Sequence, residues 1–221
     1  DESLKFSLVD AVFESASGWT TTGATVVSNI DNLNKPLLLY RQLLQWLGGI
    51  GIVVLVLAIL PILGVGGMYL YKAETSSPVK DNKLSPRITE TAKSLWGVYI
   101  VLTIACAVLY KIAGMSYFDA IGHSFSTVSI GGFSTHDASI GFYSSDLIKI
   151  ICMVFMFLSA LNFVLHFLFY KNKSLMVYTS NSEMKSFLLI IIILLLLVAI
   201  FSTGGRIQSI ENIDIMFHIL S

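Results

Sequence analysis

Hydrophobic positions along the chain gather into four long runs, and the polar segments between them are short. The runs cover residues 42–71, 94–110, 150–170 and 186–205 and are uncharged or nearly so. A helix needs about 17–25 apolar residues to cross a bilayer, so each run predicts a spanning helix. Two further stretches, 4–19 and 114–129, mix apolar with small polar residues and are too short to span. Backbone that enters a membrane without crossing it is stable only when buried in protein or lining a water-filled cavity. Each short stretch leads into a turn of small residues and then into a long run. The pattern predicts re-entrant pore helices, each feeding a turn and a spanning helix.

The two short stretches are copies of one another. A constant offset of 109 residues aligns Asp10 with Asp119, Ser15 and Ser17 with Ser124 and Ser126, and Gly23 with Gly132. Asp214, His218 and Ser221 then fall in register with Asp119, His123 and Ser126, so a third copy begins near the last residue. A unit of span, short helix, turn and span repeated at about 100 residues marks an internally repeated membrane protein. The expected fold class is an all-α membrane protein of repeated helix–pore loop–helix units. Residues 1–71 form the first repeat, 94–170 the second and 186–221 the start of a third, joined by hydrophilic loops at 72–93 and 171–185.

Composition agrees with that reading. Apolar residues make up 55% of the chain and charged residues 13%, against about 25% charged in soluble domains. Net charge is zero, so no global field points to nucleic acid. The location of the charges says more. Residues 72–93 and 170–186 hold eight of the fourteen Lys and Arg but only four of the fourteen Asp and Glu. Lys and Arg favour the cytoplasmic side, which places the two turns on the outer side. Arg41 and Trp46 are expected to anchor the entry of the first span at the interface. Gly48, Gly49 and Gly51 have no preceding strand and no Lys-Ser/Thr, so they read as small residues that let helices approach closely. Pro61, Gly64, Gly66 and Gly67 should kink or end that span. Cys106 and Cys152 lie in apolar runs and read as small buried hydrophobes. His123 and His218 share a register and so a structural role, and His166 is expected to be a satisfied packing residue. No nucleophile–base order or paired carboxylates stand out, which leaves an enzymatic reading little to stand on.

The candidate chemistry lies in the turns. A cation leaving water needs its hydration shell replaced, and converging backbone carbonyls can do that. Side chains there must be small or point away, and glycine permits backbone angles that other residues resist. Thr21, Thr22, Gly23 and Ala24 meet this demand, as do Ile130, Gly131, Gly132 and Phe133. The helix before each turn would end with its negative dipole end nearby, which favours a cation.

Three motifs carry a family resemblance. They are Gly18 through Thr25; Arg41, Gln42, Gln45, Trp46, Leu47, Gly48 and Gly49; and Ile130 through Ser139. Together with the stretch containing Pro86, Arg87, Ile88, Thr89 and Glu90, they closely resemble the TrkH potassium-uptake proteins of bacteria. The resemblance covers nearly the whole chain. It implies four pseudo-repeats around one pore, as in potassium channels, with this chain running from the first pore helix to the start of the third. Thr21, Thr22, Gly23 and Ala24 together with Ile130, Gly131, Gly132 and Phe133 would then supply filter carbonyls for the transported potassium ion. A multi-pass location in the bacterial inner membrane, a homodimer and a cytoplasmic nucleotide-binding ring of the TrkA type are also implied, and no organic cofactor. The rival expectation is a membrane scaffold or assembly subunit that does not conduct.

Overall fold

A computed structural model of the chain describes residues 7–62 and 84–204. Among these, every regular element is helical. The α-helices are α1 (Leu8–Trp19), α2 (Lys35–Ile62), α3 (Leu84–Ile112), α4 (Tyr117–Ser129), α5 (Asp146–Ala160), α6 (Phe163–Asn172), α7 (Met176–Ser180) and α8 (Ser182–Gly204). Single 3-10 turns at Ile30–Asn32 and Ser139–Phe142 lie in the loops that follow α1 and α4.

The short helices begin alike. Ser7 caps α1 by accepting from the Asp10 amide, and Ser116 caps α4 by accepting from the Asp119 amide. The two carboxylates also sit near the positive ends of their helices, where negative charge is stabilising. Long helices pack against them, α2 against both and α3 against α4. Residues 93–112 of α3 are long and apolar enough to cross a bilayer, and α5 with α6 pass the same test as a bent pair. Large side chains of α3 and α8, among them Val101, Ile104, Val108, Leu189 and Ile190, are exposed, as a lipid-facing surface requires.

Trp46 is the point where α2, α3 and α4 meet. Its ring lies 5.6 Å from Tyr99, 6.3 Å from Trp96 and 5.3 Å from Phe125. The indole N–H donates to Thr103 Oγ1 at 3.0 Å, and the Tyr99 hydroxyl donates to the Trp46 carbonyl at 2.9 Å. Aromatic pairs of this geometry are each worth about 0.5–1.5 kcal/mol beyond their area, so the three helices are held at one level. Trp46 is therefore inside the bundle, and so is Arg41, which is only 3% exposed. Of the two expected interfacial anchors, Arg41 is buried and Trp46 is partly buried against the core. Cys106, Tyr110, Met115 and Cys152 are buried in one cluster, against which Trp46 packs, and both cysteines are free.

The structure also differs from the expected third span. Residues 150–170 do not form one straight helix: α5 and α6 meet at 91°. Asn162 explains the break, because its side chain accepts from the Val164 amide at 3.0 Å and caps a new helix in mid-run. His166 Nε2 lies 2.9 Å from the Leu158 carbonyl and Nδ1 2.8 Å from the Tyr178 hydroxyl, so this His is satisfied as expected. Residues 84–93, expected in the hydrophilic loop, are the start of α3, and Pro61 lies within the last turn of α2. Gly64, Gly66, Gly67, His218 and the beginning of the third copy lie outside the described residues.

Candidate functional site

Both pore helices end in the same motif. The Thr22 amide donates to Ser17 O at 2.9 Å and the Thr21 amide to Gly18 O at 3.1 Å. In the second copy Gly131 donates to Ser126 O at 2.8 Å and Ile130 to Thr127 O at 3.2 Å, the same bonds 109 residues on. This is the paired closure of a Schellman cap, which needs a left-handed residue just beyond the helix. Thr21 and Ile130 occupy it, with φ of 55° and 53°. Glycine is usual there, and β-branched residues at such angles are strained, a condition that persists only when surroundings hold it and that concentrates at functional sites. Two residues later Gly23 and Gly132 also have positive φ, 76° and 83°. The two turns thus share a backbone that alternates into the left-handed region at equivalent positions.

They also touch. A Cβ added to Gly23 would overlap the Gly131 carbonyl oxygen, and the Cβ position of Gly132 lies 3.8 Å from the Gly23 Cα. Thr22, Ile130, Gly131, Gly132 and Phe133 line one cavity of about 340 Å³, closed on another side by Met156 of α5. Thr21, Gly23 and Ala24 do not line it. Two of the eight expected carbonyls are engaged within the protein: Ser17 Oγ donates to Ala24 O at 2.5 Å, and Gln45 Nε2 to Gly131 O at 2.6 Å. Among the described residues no hydrogen bond ends on the carbonyls of Thr21, Thr22, Gly23, Ile130, Gly132 or Phe133. Six carbonyls at the negative ends of two helices are chemically suited to a desolvated cation.

Behind each turn lies a brace that sequence reading missed. Glu14 accepts from Thr25 Oγ1 at 2.8 Å, and Thr25 Oγ1 accepts from the Val27 amide at 3.0 Å. In the second copy His123 Nε2 lies 3.0 Å from Ser134 Oγ, which accepts from the His136 amide at 3.0 Å. Glu14 and His123 are 109 residues apart, as are Thr25 and Ser134 and also Val27 and His136. The same offset that aligned the glycines carries these pairs; the signal was hidden because a carboxylate and an imidazole do the same work. Only Glu14 needs a counter-ion. Arg41 supplies it, with Nη2 2.7 Å from Glu14 Oε1 and its guanidinium 4.3 Å over the Phe133 ring. One residue of α2 therefore touches the braces of the first turn and the last residue of the second.

The loops that follow the two turns also interlock. Asp137 accepts from the Ile30 amide at 2.9 Å, and Asp31 lies 2.6 Å from His136 Nδ1. That hydrogen bond holds the Asp31 carboxyl below its ordinary value.

Comparison with known proteins places these features in context. The family model described as TrkH, cation transport protein, matches residues 1–220. The Trk system potassium uptake protein TrkH of Halomonas elongata is 59% identical over 183 residues, 83% of this chain and 38% of that protein. The protein of the same name from Escherichia coli is 56% identical over 187 residues, 85% of this chain and 39% of its own length. The crystal structure of the potassium transporter TrkH from Vibrio parahaemolyticus matches with a TM-score of 0.82 at 45% identity, covering 97% of this chain and 43% of that one. The chain spans about two fifths of the length of these relatives, which are transport proteins by name.

Proposed function

The chain belongs to the TrkH family of cation transport proteins, and from that premise we propose that it supplies two of the filter segments of a potassium-translocating pore. The observation that carries this is the pair of matching turns: equal left-handed positions, mutual contact, and six carbonyls that accept no hydrogen bond among the described residues. Thr21, Thr22, Gly23 and Ala24 with Ile130, Gly131, Gly132 and Phe133 form this chain's share of the filter. Further segments of the complete protein close the ring. The relatives named above are potassium uptake proteins, and potassium is the cation this reading assigns. The same reading divides the chain into repeats at 1–71, 94–170 and 186–221. It assigns the complete protein to the bacterial inner membrane as a multi-pass homodimer, with the basic segments 72–93 and 171–185 facing a cytoplasmic nucleotide-binding ring of the TrkA type.

The test is cation flux through the complete protein in liposomes. Potassium or thallium flux is expected, with sodium discriminated against, and Gly132→Ser should weaken that discrimination. A bilayer-inserted, folded protein that passes neither cation would favour the scaffold reading instead.

A further inference from the structure

Gln45 is fully buried on α2, and its carboxamide reaches across the second turn. Nε2 donates to the Gly131 carbonyl at 2.6 Å, and Oε1 accepts from the Phe133 amide at 3.0 Å. The two partners fix which end of the amide is which, since one offers only a lone pair and the other only a proton. The peptide it holds joins two glycines, the residues with the least steric resistance to rotation. A Cβ at Gly131 would overlap the Gln45 carboxamide. The first turn has Thr22 at this position, and among the described residues no side-chain amide lies across that turn. The extra glycine of the second copy is thus the space that Gln45 requires.

We propose that Gln45 is a positioning residue for ion selection. It locks the peptide between Gly131 and Gly132 so that the Gly131 carbonyl is drawn toward α2 and Gly23, leaving Ile130, Gly132 and Phe133 to present carbonyls to the ion. The proposal rests on the filter reading above. Arg41, one helical turn earlier on the same face, holds the Phe133 ring while Gln45 holds its amide, so the end of the turn is fixed at two points. Without Gln45 the glycine–glycine peptide is free to turn, and the number of carbonyls available to the ion is no longer set.

The experiment compares Gln45→Met, Gln45→Glu and Gly132→Ser in the complete protein, reconstituted in liposomes, by the ratio of potassium to sodium flux. Methionine removes both hydrogen bonds. Ionised glutamate accepts from the Phe133 amide but cannot donate to Gly131 O, so this variant, measured at alkaline as well as neutral pH, isolates the bond that matters and keeps the test decisive where the Met variant fails to assemble. The ratio is expected to fall about tenfold in both, in line with loss of a buried hydrogen bond, with sodium flux rising, a change that simple destabilisation does not produce. Wild-type ratios in the Gln45 variants beside a lowered ratio in Gly132→Ser would overturn the role of Gln45 alone. A wild-type ratio in Gly132→Ser as well would overturn the filter reading and this proposal with it.

Discussion

Replacing Glu14 by alanine would strip the first turn of its brace and leave Arg41 buried without its counter-ion. The carboxylate accepts a hydrogen bond from Arg41 Nε at 2.8 Å, is ion-paired with Nη2 at 2.7 Å, and accepts further bonds from Thr25 Oγ1 and the Val26 amide. At that separation an effective dielectric of about 20 gives roughly 6 kcal/mol of attraction. Burial of both groups offsets most of it, so the intact pair contributes little net stability. Loss of one partner is different, because the other charge stays buried and uncompensated, at a cost of about 3–5 kcal/mol. Glu14→Ala and Arg41→Ala are each expected to lose that much. The double variant should lose no more than either single one, which gives a coupling energy of at least about 3 kcal/mol. Denaturant titration of the solubilised complete protein measures this, with reaction of Cys106 and Cys152 with a thiol dye as the readout, since both are buried and free. Single losses that add in the double variant would refute the idea that the two side chains act as a unit.

Two further expectations use other parts of the fold. A Cβ at Gly48 would overlap the Trp19 carbonyl oxygen, a backbone atom that cannot swing aside, whereas one at Gly51 would meet nothing within 4 Å. Gly48→Ala should therefore cost about 1–3 kcal/mol and Gly51→Ala should be neutral or stabilising by up to about 1 kcal/mol, measured in the same titration. The interlock of the two loops should depend on acid. Asp31 has a folded-state pKa below its ordinary 3.8, chiefly through the His136 hydrogen bond. A lowered pKa means that its contribution is present above the ordinary value and is lost as pH falls through the lowered one. Hydrogen exchange of residues 29–33 and 135–142 should accelerate below about pH 4, and Asp31→Asn should remove that dependence; equal acid response in both proteins would count against it.

What the sequence made legible followed from periodicity and from one constant offset. Apolar runs located the long helices, and the alignment of Asp10, Ser17 and Gly23 with Asp119, Ser126 and Gly132 located two turns that prove to have the same backbone. Three features were not legible, each for a physical reason. The 91° bend comes from one Asn that turns its side chain onto the backbone, and an isolated polar residue in an apolar run carries no period. Arg41 looked like an interfacial anchor because its partner lies 27 residues away and only tertiary packing brings them together. The equivalence of Glu14 and His123 was masked by dissimilar chemistry, although both hold a hydroxyl eleven residues further on.

The central claim is that the turns at Gly23 and Gly132 together line a potassium path. Anomalous diffraction from crystals of the complete protein soaked in rubidium or thallium tests it most directly. An anomalous peak is expected between the two turns, within about 3 Å of carbonyl oxygens drawn from Thr21, Thr22, Gly23, Ile130, Gly132 and Phe133, as direct replacement of a hydration shell requires. Ions located elsewhere along the path, with these carbonyls bonded only to protein or water, would contradict it.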